Sequence, residues 1–169
     1  AKQNNSCALG YLGNMYLKGE GVDLNYSKAK EYLELAAKQN NPDAFINLGH
    51  MYFKGYGVKQ SYLKAKEYYE LSIKQGNSHA YLCLGVWYRN QKGVEQSYLK
   101  AKECYELAAK QNNPGALVNL GNIYLSGEGI EKDYSKAIEY YELAAKQNNS
   151  NAFYNLGNIY LNGKGVKQD

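Results

Sequence analysis

The chain has 169 residues, a formal net charge of +4 and 44% hydrophobic residues. That apolar fraction excludes disorder by composition, and the charge is modest for the length. The longest apolar runs span only a few residues, too short to cross a membrane as a helix, and no secretory h-region is visible.

A period of 36 residues organises the rest. Gly13, Gly49, Gly85, Gly121 and Gly157 keep that spacing without slippage, each preceded by Leu and followed three residues later by Tyr. Residues 6–41 and 114–149 share 24 identities in 36. A fixed period of this size marks a stacked array in which each unit packs on its neighbours. The whole chain, 1–169, therefore reads as one array. It has full units at 5–40, 41–76, 77–112 and 113–148, and partial ones at 1–4 and 149–169. Ala1-Lys2-Gln3 matches Ala37-Lys38-Gln39, and Gly165-Val166 matches Gly129-Ile130, so the segment reads as cut from a longer array.

In chain order, Asn5 and its copies Asn41, Asn77, Asn113 and Asn149 are expected to cap a first helix, A, that runs to about Lys18. An Asn side chain there accepts a first-turn N–H, and Pro42 and Pro114 suit the position after the cap. Ala8, Leu12 and Tyr16 recur at i, i+4, i+8, and with Gly13 they form a packing face that admits a neighbouring helix closely. The Gly19/Gly21 pair, repeated at 55/57, 127/129 and 163/165, supplies the positive φ of a helix end and turn. No strand pattern supports reading it as a phosphate loop. Val22, Val58, Val94, Ile130 and Val166 are expected to anchor the loop. Helix B follows, capped by Asn25, Ser61, Ser97 or Asp133, with Ala29, Tyr32 and Ala36 as its buried stripe. Lys30-Glu34-Lys38 and its copies form an i, i+4 ladder on a solvated face, each pair contributing ~0.2–0.5 kcal/mol. Helix B ends at Asn40, Gly76, Asn112 or Asn148, an exchange that points to a left-handed residue.

The pattern Ala8-x3-Leu12-Gly13-x2-Tyr16-x2-Gly19-x-Gly21-Val22, then Lys28-Ala29-x2-Tyr32 and Ala36-Ala37, resembles the Sel-one-like repeat family over the whole chain. That family is a 36-residue relative of the tetratricopeptide repeat. The resemblance implies an all-α fold, an α/α superhelix (solenoid) of tandem 36-residue helix-turn-helix repeats. It implies a non-enzymatic scaffold or adaptor for protein–protein contacts. A cysteine-rich bacterial branch carries a regular inter-helix disulfide, and some of its members are linked to β-lactam binding. Cys7, Cys83 and Cys104 fall at three different positions of the period, so that branch is not carried over. They form neither a disulfide framework nor a zinc-ligand spacing, and the pattern fits a reducing compartment such as the cytoplasm.

Aligned on the tetratricopeptide core, positions 7, 10, 14, 17 and 18 of each unit line the concave groove. The binding residues this implies are Asn14, Leu17, Ile46, His50, Phe53, Leu82, Arg89, Asn122, Leu125, Tyr154 and Asn158. An amide both donates and accepts, so the Asn series could pair with the backbone of an extended peptide; it could equally solvate an idle groove. Asn47, Asn119 and Asn155 read as structural, bonding across or between units. Unit three departs most: Gln91 replaces a loop glycine, Cys104 replaces a helix B tyrosine, and Trp87 replaces Met or Ile. A non-glycine residue at positive φ costs on the order of 1 kcal/mol.

No catalytic residue, metal ligand set or cofactor is read. His79 and Cys83 share a helix face, but two ligands fall short of the usual four of structural zinc. Nucleic acid binding is not expected, because most lysines sit on helix B beside glutamates and most of the 19 tyrosines read as packing. The expected partner is a protein or peptide, with possible end-to-end self-association through uncapped ends, where Phe153, Leu156 and Tyr160 would be partly exposed. The alternatives are a small-ligand or weak hydrolase activity, as in the cysteine-rich branch, or a structural spacer within a larger protein.

Overall fold

A computed structural model describes residues 2–90 and 95–163 of the chain. Gln91, Val94, Gly165 and Val166, singled out above, lie outside the described residues. Among those described, every regular element is a helix: α1 (Lys2–Lys18), α2 (Tyr26–Ala37), α3 (Pro42–Lys54), α4 (Tyr62–Lys74), α5 (His79–Arg89), α6 (Glu95–Ala109), α7 (Pro114–Ser126), α8 (Tyr134–Ala145) and α9 (Ser150–Leu161). The chain divides into two compact units, Ala1–Trp87 and Tyr88–Asp169.

In the first unit, α1 packs on α2 and α3 on α4 as antiparallel hairpins. The helices start where short polar side chains satisfy first-turn N–H groups. Asn25 accepts from the Lys28 amide, Asn41 from Ala44 and Ser61 from Lys64. The hairpin loops turn through Gly19 and Gly21 at φ 72° and 74°, and through Gly55 and Gly57 at 77° and 63°. Each is a conformation that L side chains adopt only with strain. At the far end of helix B, Asn40 stands at φ 59° and Gly76 at 80°, as their Asn/Gly exchange implies.

The glycine comb acquires a specific partner. A Cβ on Gly13 would lie 2.6 Å from Leu33 Cγ, and one on Gly49 would lie 2.5 Å from Tyr69 Cε1. Position 33 of helix B therefore fills the notch, and the buried stripe of α2 is Ala29, Leu33 and Ala36, not Ala29, Tyr32 and Ala36. Tyr32 sits half-buried and stacks on Tyr16, with centroids 5.7 Å apart. The leucines of the comb face elsewhere, because consecutive helical residues point about 100° apart. Leu48 and Ala44 pack against Leu33 and Ala36 of the preceding helix. Their copies Leu12 and Ala8 are exposed on α1, which has no such neighbour in the described chain.

The second unit repeats the construction. Asn113, Asp133 and Asn149 cap α7, α8 and α9, and Gly127 and Gly129 turn the loop at φ 73° and 69°. Tyr141 fills the notch at Gly121, where a Cβ would lie 2.5 Å from its ring. Leu117, Val118, Ala137, Ala144, Ala152 and Ile159 complete the core around it. At Gly157 a Cβ would meet nothing within 4 Å. There Phe153 is 54% exposed, with Leu156 and Tyr160 half-buried.

Two expected caps lie elsewhere. Asn5 is inside α1, which already begins at Lys2, and Ser97 is inside α6, which begins at Glu95. At the interior copies a left-handed Asn40 or Asn112 brings the chain out of a preceding helix and forces a fresh start. Lys2-Gln3 and Glu95-Gln96 are good helix formers, and they carry α1 and α6 back past the expected caps.

Candidate protein-binding cleft

One face of α1 from Cys7 to Lys18, one face of α3 and the first residue of α5 line an open cleft of about 610 Å³ in the first unit. Asn14, Ile46 and His50, three of the expected groove residues, line it together. Gly10 and Lys18 of α1 complete that side, and Asp43 and His79 stand at the first turns of α3 and α5. These are positions 7, 10, 14 and 18 of the repeat, which a helix brings to one face. Tyr11 and Asn47 also line the cleft. They share one position of the period, which the sequence reading assigned to structure.

The walls are chemically mixed and fixed by hydrogen bonds. Asn41 is spent on the fold: its Oδ1 accepts from the Ala44 amide at 2.9 Å, and its Nδ2 donates to the Ser6 carbonyl at 3.1 Å. Asn77 Nδ2 donates to Asp43 Oδ1 at 2.8 Å, holding the carboxylate at the rim. Asp43 sits in the first turn of α3 and Lys18 in the last turn of α1, each where the helix dipole favours its charge.

His50 forms the floor. Burial first, then the positive fields of His79 and Lys54, lower its pKa to about 4, so the imidazole is neutral at neutral pH. Its ring meets Tyr69 edge-on at 5.7 Å, and its Nε2 lies 3.4 Å from Cys83 Sγ. Burial pushes the Cys83 thiol up to about 12. A protonated thiol beside a neutral imidazole is a hydrogen-bonded pair, not the thiolate–imidazolium pair of a cysteine nucleophile. Among the described residues, no group of three or more His, Cys, Asp or Glu side chains could hold a metal ion.

The second unit uses equivalent positions differently. Asn122 replaces His50, and its Oδ1 accepts from the Tyr141 hydroxyl at 2.7 Å and from Asn155 Nδ2 at 3.3 Å. Asn122 thus ties helix A to its own helix B and to the next helix A. Asn155 takes the bridging role expected of it, whereas Asn119 bonds back to the Gly115 carbonyl within α7.

The remaining groove residues disperse. Phe53 is only 8% exposed and packs edge-on to Tyr62. Leu17 and Leu125 pack against their unit cores, and Leu82 is half-buried. Arg89 closes a two-pronged ion pair with Glu128, Nε–Oε2 at 2.7 Å and Nη2–Oε1 at 2.9 Å. That hydrogen-bonded pairing raises the guanidinium pKa and holds the Glu128 carboxyl below its ordinary value. Tyr154 and Asn158 lie on α9, Tyr154 70% exposed and Asn158 half-buried. A further recurrent unit escaped the sequence reading. Tyr16, Tyr52 and Tyr124 each stack on a helix B tyrosine, with Lys28, Lys64 or Lys136 held 5.0–5.3 Å from the ring centroid. Its signal was the constant spacing of Tyr16, Lys28 and Tyr32.

Tandem helical hairpins of constant period, tied through glycine notches, define an all-α solenoid of the repeat-scaffold class. The Sel1 repeat model matches residues 8–41, 42–77, 78–113, 114–149 and 150–169. The chain belongs to the Sel1 repeat family, whose members generally serve as protein-interaction scaffolds. Among solved structures, it is similar to a Sel1 repeat protein from Oxalobacter formigenes. The TM-score is 0.82 at 36% identity, over 99% of this chain and 69% of that one. It is equally similar, at TM-score 0.82 and 36% identity, to a protective antigen of uropathogenic Escherichia coli strains displaying an SLR fold. That match covers 99% of this chain but only 36% of the antigen. A Klebsiella pneumoniae Sel1 repeat structure at 22% identity shares the fold, with a TM-score of 0.71 over 99% of this chain and 82% of its own. No curated protein matches the chain.

Proposed function

We propose that this chain is a non-enzymatic scaffold that holds an extended segment of a partner protein in the α1–α3–α5 cleft. The observation that carries the reading is the gathering of Asn14, Asn47, Ile46 and His50 around one cavity of about 610 Å³. Asn14 and Asn47 offer amide donors and acceptors to a peptide backbone. Ile46 and the half-buried His50 offer apolar surface beneath. From Cys7 to Lys18 the α1 wall runs roughly 16 Å, the length of about five extended residues. Lys18 and Asp43 flank the cleft with opposite charges, which suits a partner read in one direction.

Gly10→Tyr tests this directly. Gly10 is helical, a Cβ there would meet Asn41 at an ordinary 3.5 Å, and the last repeat carries Tyr154 at the same position. The substitution is expected to fill the cleft and leave the melting temperature unchanged or higher, since glycine is a poor helix former. Binding of a peptide selected on the unmodified chain by display should fall about tenfold or more. Undiminished binding by a folded Gly10→Tyr chain would remove the cleft from consideration.

A further inference from the structure

Residues 52–66 carry Lys54, Lys59, Lys64 and Lys66 and no acidic residue. Every described copy of this stretch contains acid: Glu20 and Asp23 after α1, Glu95 at the start of α6, and Glu128, Glu131 and Asp133 after α7. Lys66 is accounted for by Glu70, 3.3 Å away. Lys54, Lys59 and Lys64 are exposed and reach no carboxylate among the described residues.

A cavity of about 450 Å³ opens on this edge, lined by Tyr52, Val58, Lys59, Gln60, Ser61 and Lys64. None of these residues lines the cleft described above. The same cavity recurs in the second unit at about 500 Å³, around Tyr124, Ile130 and Lys136. There Glu131 and Asp133 stand where Lys59 and Ser61 stand, and Asp133 pairs with Lys136 at 3.5 Å. One fold element thus presents a self-neutralised pocket in one copy and an uncompensated basic pocket in the other.

We propose that the Lys54–Lys59–Lys64 edge docks an acidic segment of a protein partner. Lys59 and Lys64 line the cavity and Lys54 ends α3 at the start of the same loop. Ammonium groups without a carboxylate partner are complementary to a run of carboxylates, and fixed charges of one sign steer such a segment in. Nucleic acid also carries negative charge, but it binds best where bases find open aromatic faces. Here the rings are already engaged. Tyr52 lies between Tyr68 and the Lys64 ammonium, Tyr56 stacks on Tyr26, and Tyr62 meets Phe53 edge-on.

The repeat itself supplies the variant that tests this. Lys59→Glu with Ser61→Asp installs the two acids that the second-unit pocket carries at these positions, so the fold is expected to tolerate them, which circular dichroism verifies. Lys110→Glu with Gln111→Asp imposes the same change in net charge on the exposed turn just past α6. Binding of a fluorescent oligoglutamate peptide is read by anisotropy at low and physiological salt, with oligothymidylate as the second probe. The unmodified chain is expected to bind oligoglutamate in a salt-sensitive manner. The Lys59/Ser61 variant should lose about tenfold or more in affinity and the Lys110/Gln111 variant should lose little. No binding of oligoglutamate, an equal loss in both variants, or tighter binding of oligothymidylate would each overturn the proposal.

Discussion

Gly121→Ala should destabilise the chain by about 2 kcal/mol, while Gly157→Ala, at the same position of the repeat, should stabilise it by about 0.5–1 kcal/mol. The two glycines share their sequence surroundings, Leu before and Tyr three residues after, so local helix propensity is the same for both. They differ in what faces them. A methyl at Gly121 would stand 2.5 Å from Tyr141 Cε1 and 2.8 Å from Cδ1. That ring is fully buried, and its hydroxyl is held by Asn122, so it cannot swing away. Either α7 and α8 separate or the ring leaves its rotamer, and both exceed the propensity gain. At Gly157 a methyl meets nothing, and only the propensity gain remains. Urea unfolding of the two variants measures the contrast; shifts of the same sign would refute the notch as the source of helix–helix spacing.

Asn122→Ala should cost about 1–3 kcal/mol, because it strands two donors at once. The Tyr141 hydroxyl loses its acceptor in a fully buried position, and Asn155 Nδ2 loses its contact across the helix interface. The cost is expected to couple strongly to Tyr141. Once Asn122 is gone, removing the hydroxyl with Tyr141→Phe should be nearly neutral, because it deletes the stranded donor. A double-mutant cycle in urea isolates that term. Additive losses would show that the hydroxyl and the amide act independently.

These two predictions also mark where the sequence was readable. The 36-residue comb names the helices, their caps and their turns, because a backbone that needs positive φ or close approach tolerates few residues. Asn40, Asn112 and Asn148 at φ near 59° are that constraint made visible. The choice between Tyr32 and Leu33 as the buried position was not readable from spacing. Both fit a 3.6-residue period with Ala29 and Ala36, and only the glycine notch on the facing helix selects Leu33. Asn5 and Ser97 illustrate a second limit, since a cap residue acts only where the preceding chain forces a helix to begin. Asn122 shows a third. Its amide is as competent for a peptide as for a neighbouring tyrosine, and the larger residue at position 33, Tyr141 where the first repeat has Leu33, brings a hydroxyl to it. In the first repeat, position 33 is Leu33, which has no hydroxyl to claim the Asn14 amide.

Function follows the same division. Positions shared by all repeats hold helices together, and the cleft and the lysine edge arise where single repeats depart from the others: Gly10 where the others have Ile46, Leu82, Val118 or Tyr154, and Lys59, shared with Lys167, where the others have Asp23, Glu95 or Glu131. A small residue opens space, and a reversed charge leaves ammonium groups uncompensated. Both changes sit on a scaffold whose packing does not need them, so either can vary without loss of fold.

The most direct test of the scaffold reading is to map a display-selected peptide onto the isotopically labelled chain by nuclear magnetic resonance. Titration is expected to shift the side-chain amides of Asn14 and Asn47 and the backbone signals of Gly10, Lys18 and His79, while the half-exposed helix B ladder around Lys30 and Glu34 stays unperturbed. Shifts concentrated on that ladder, with the Asn14 and Asn47 amides unmoved, would contradict the cleft as the binding site.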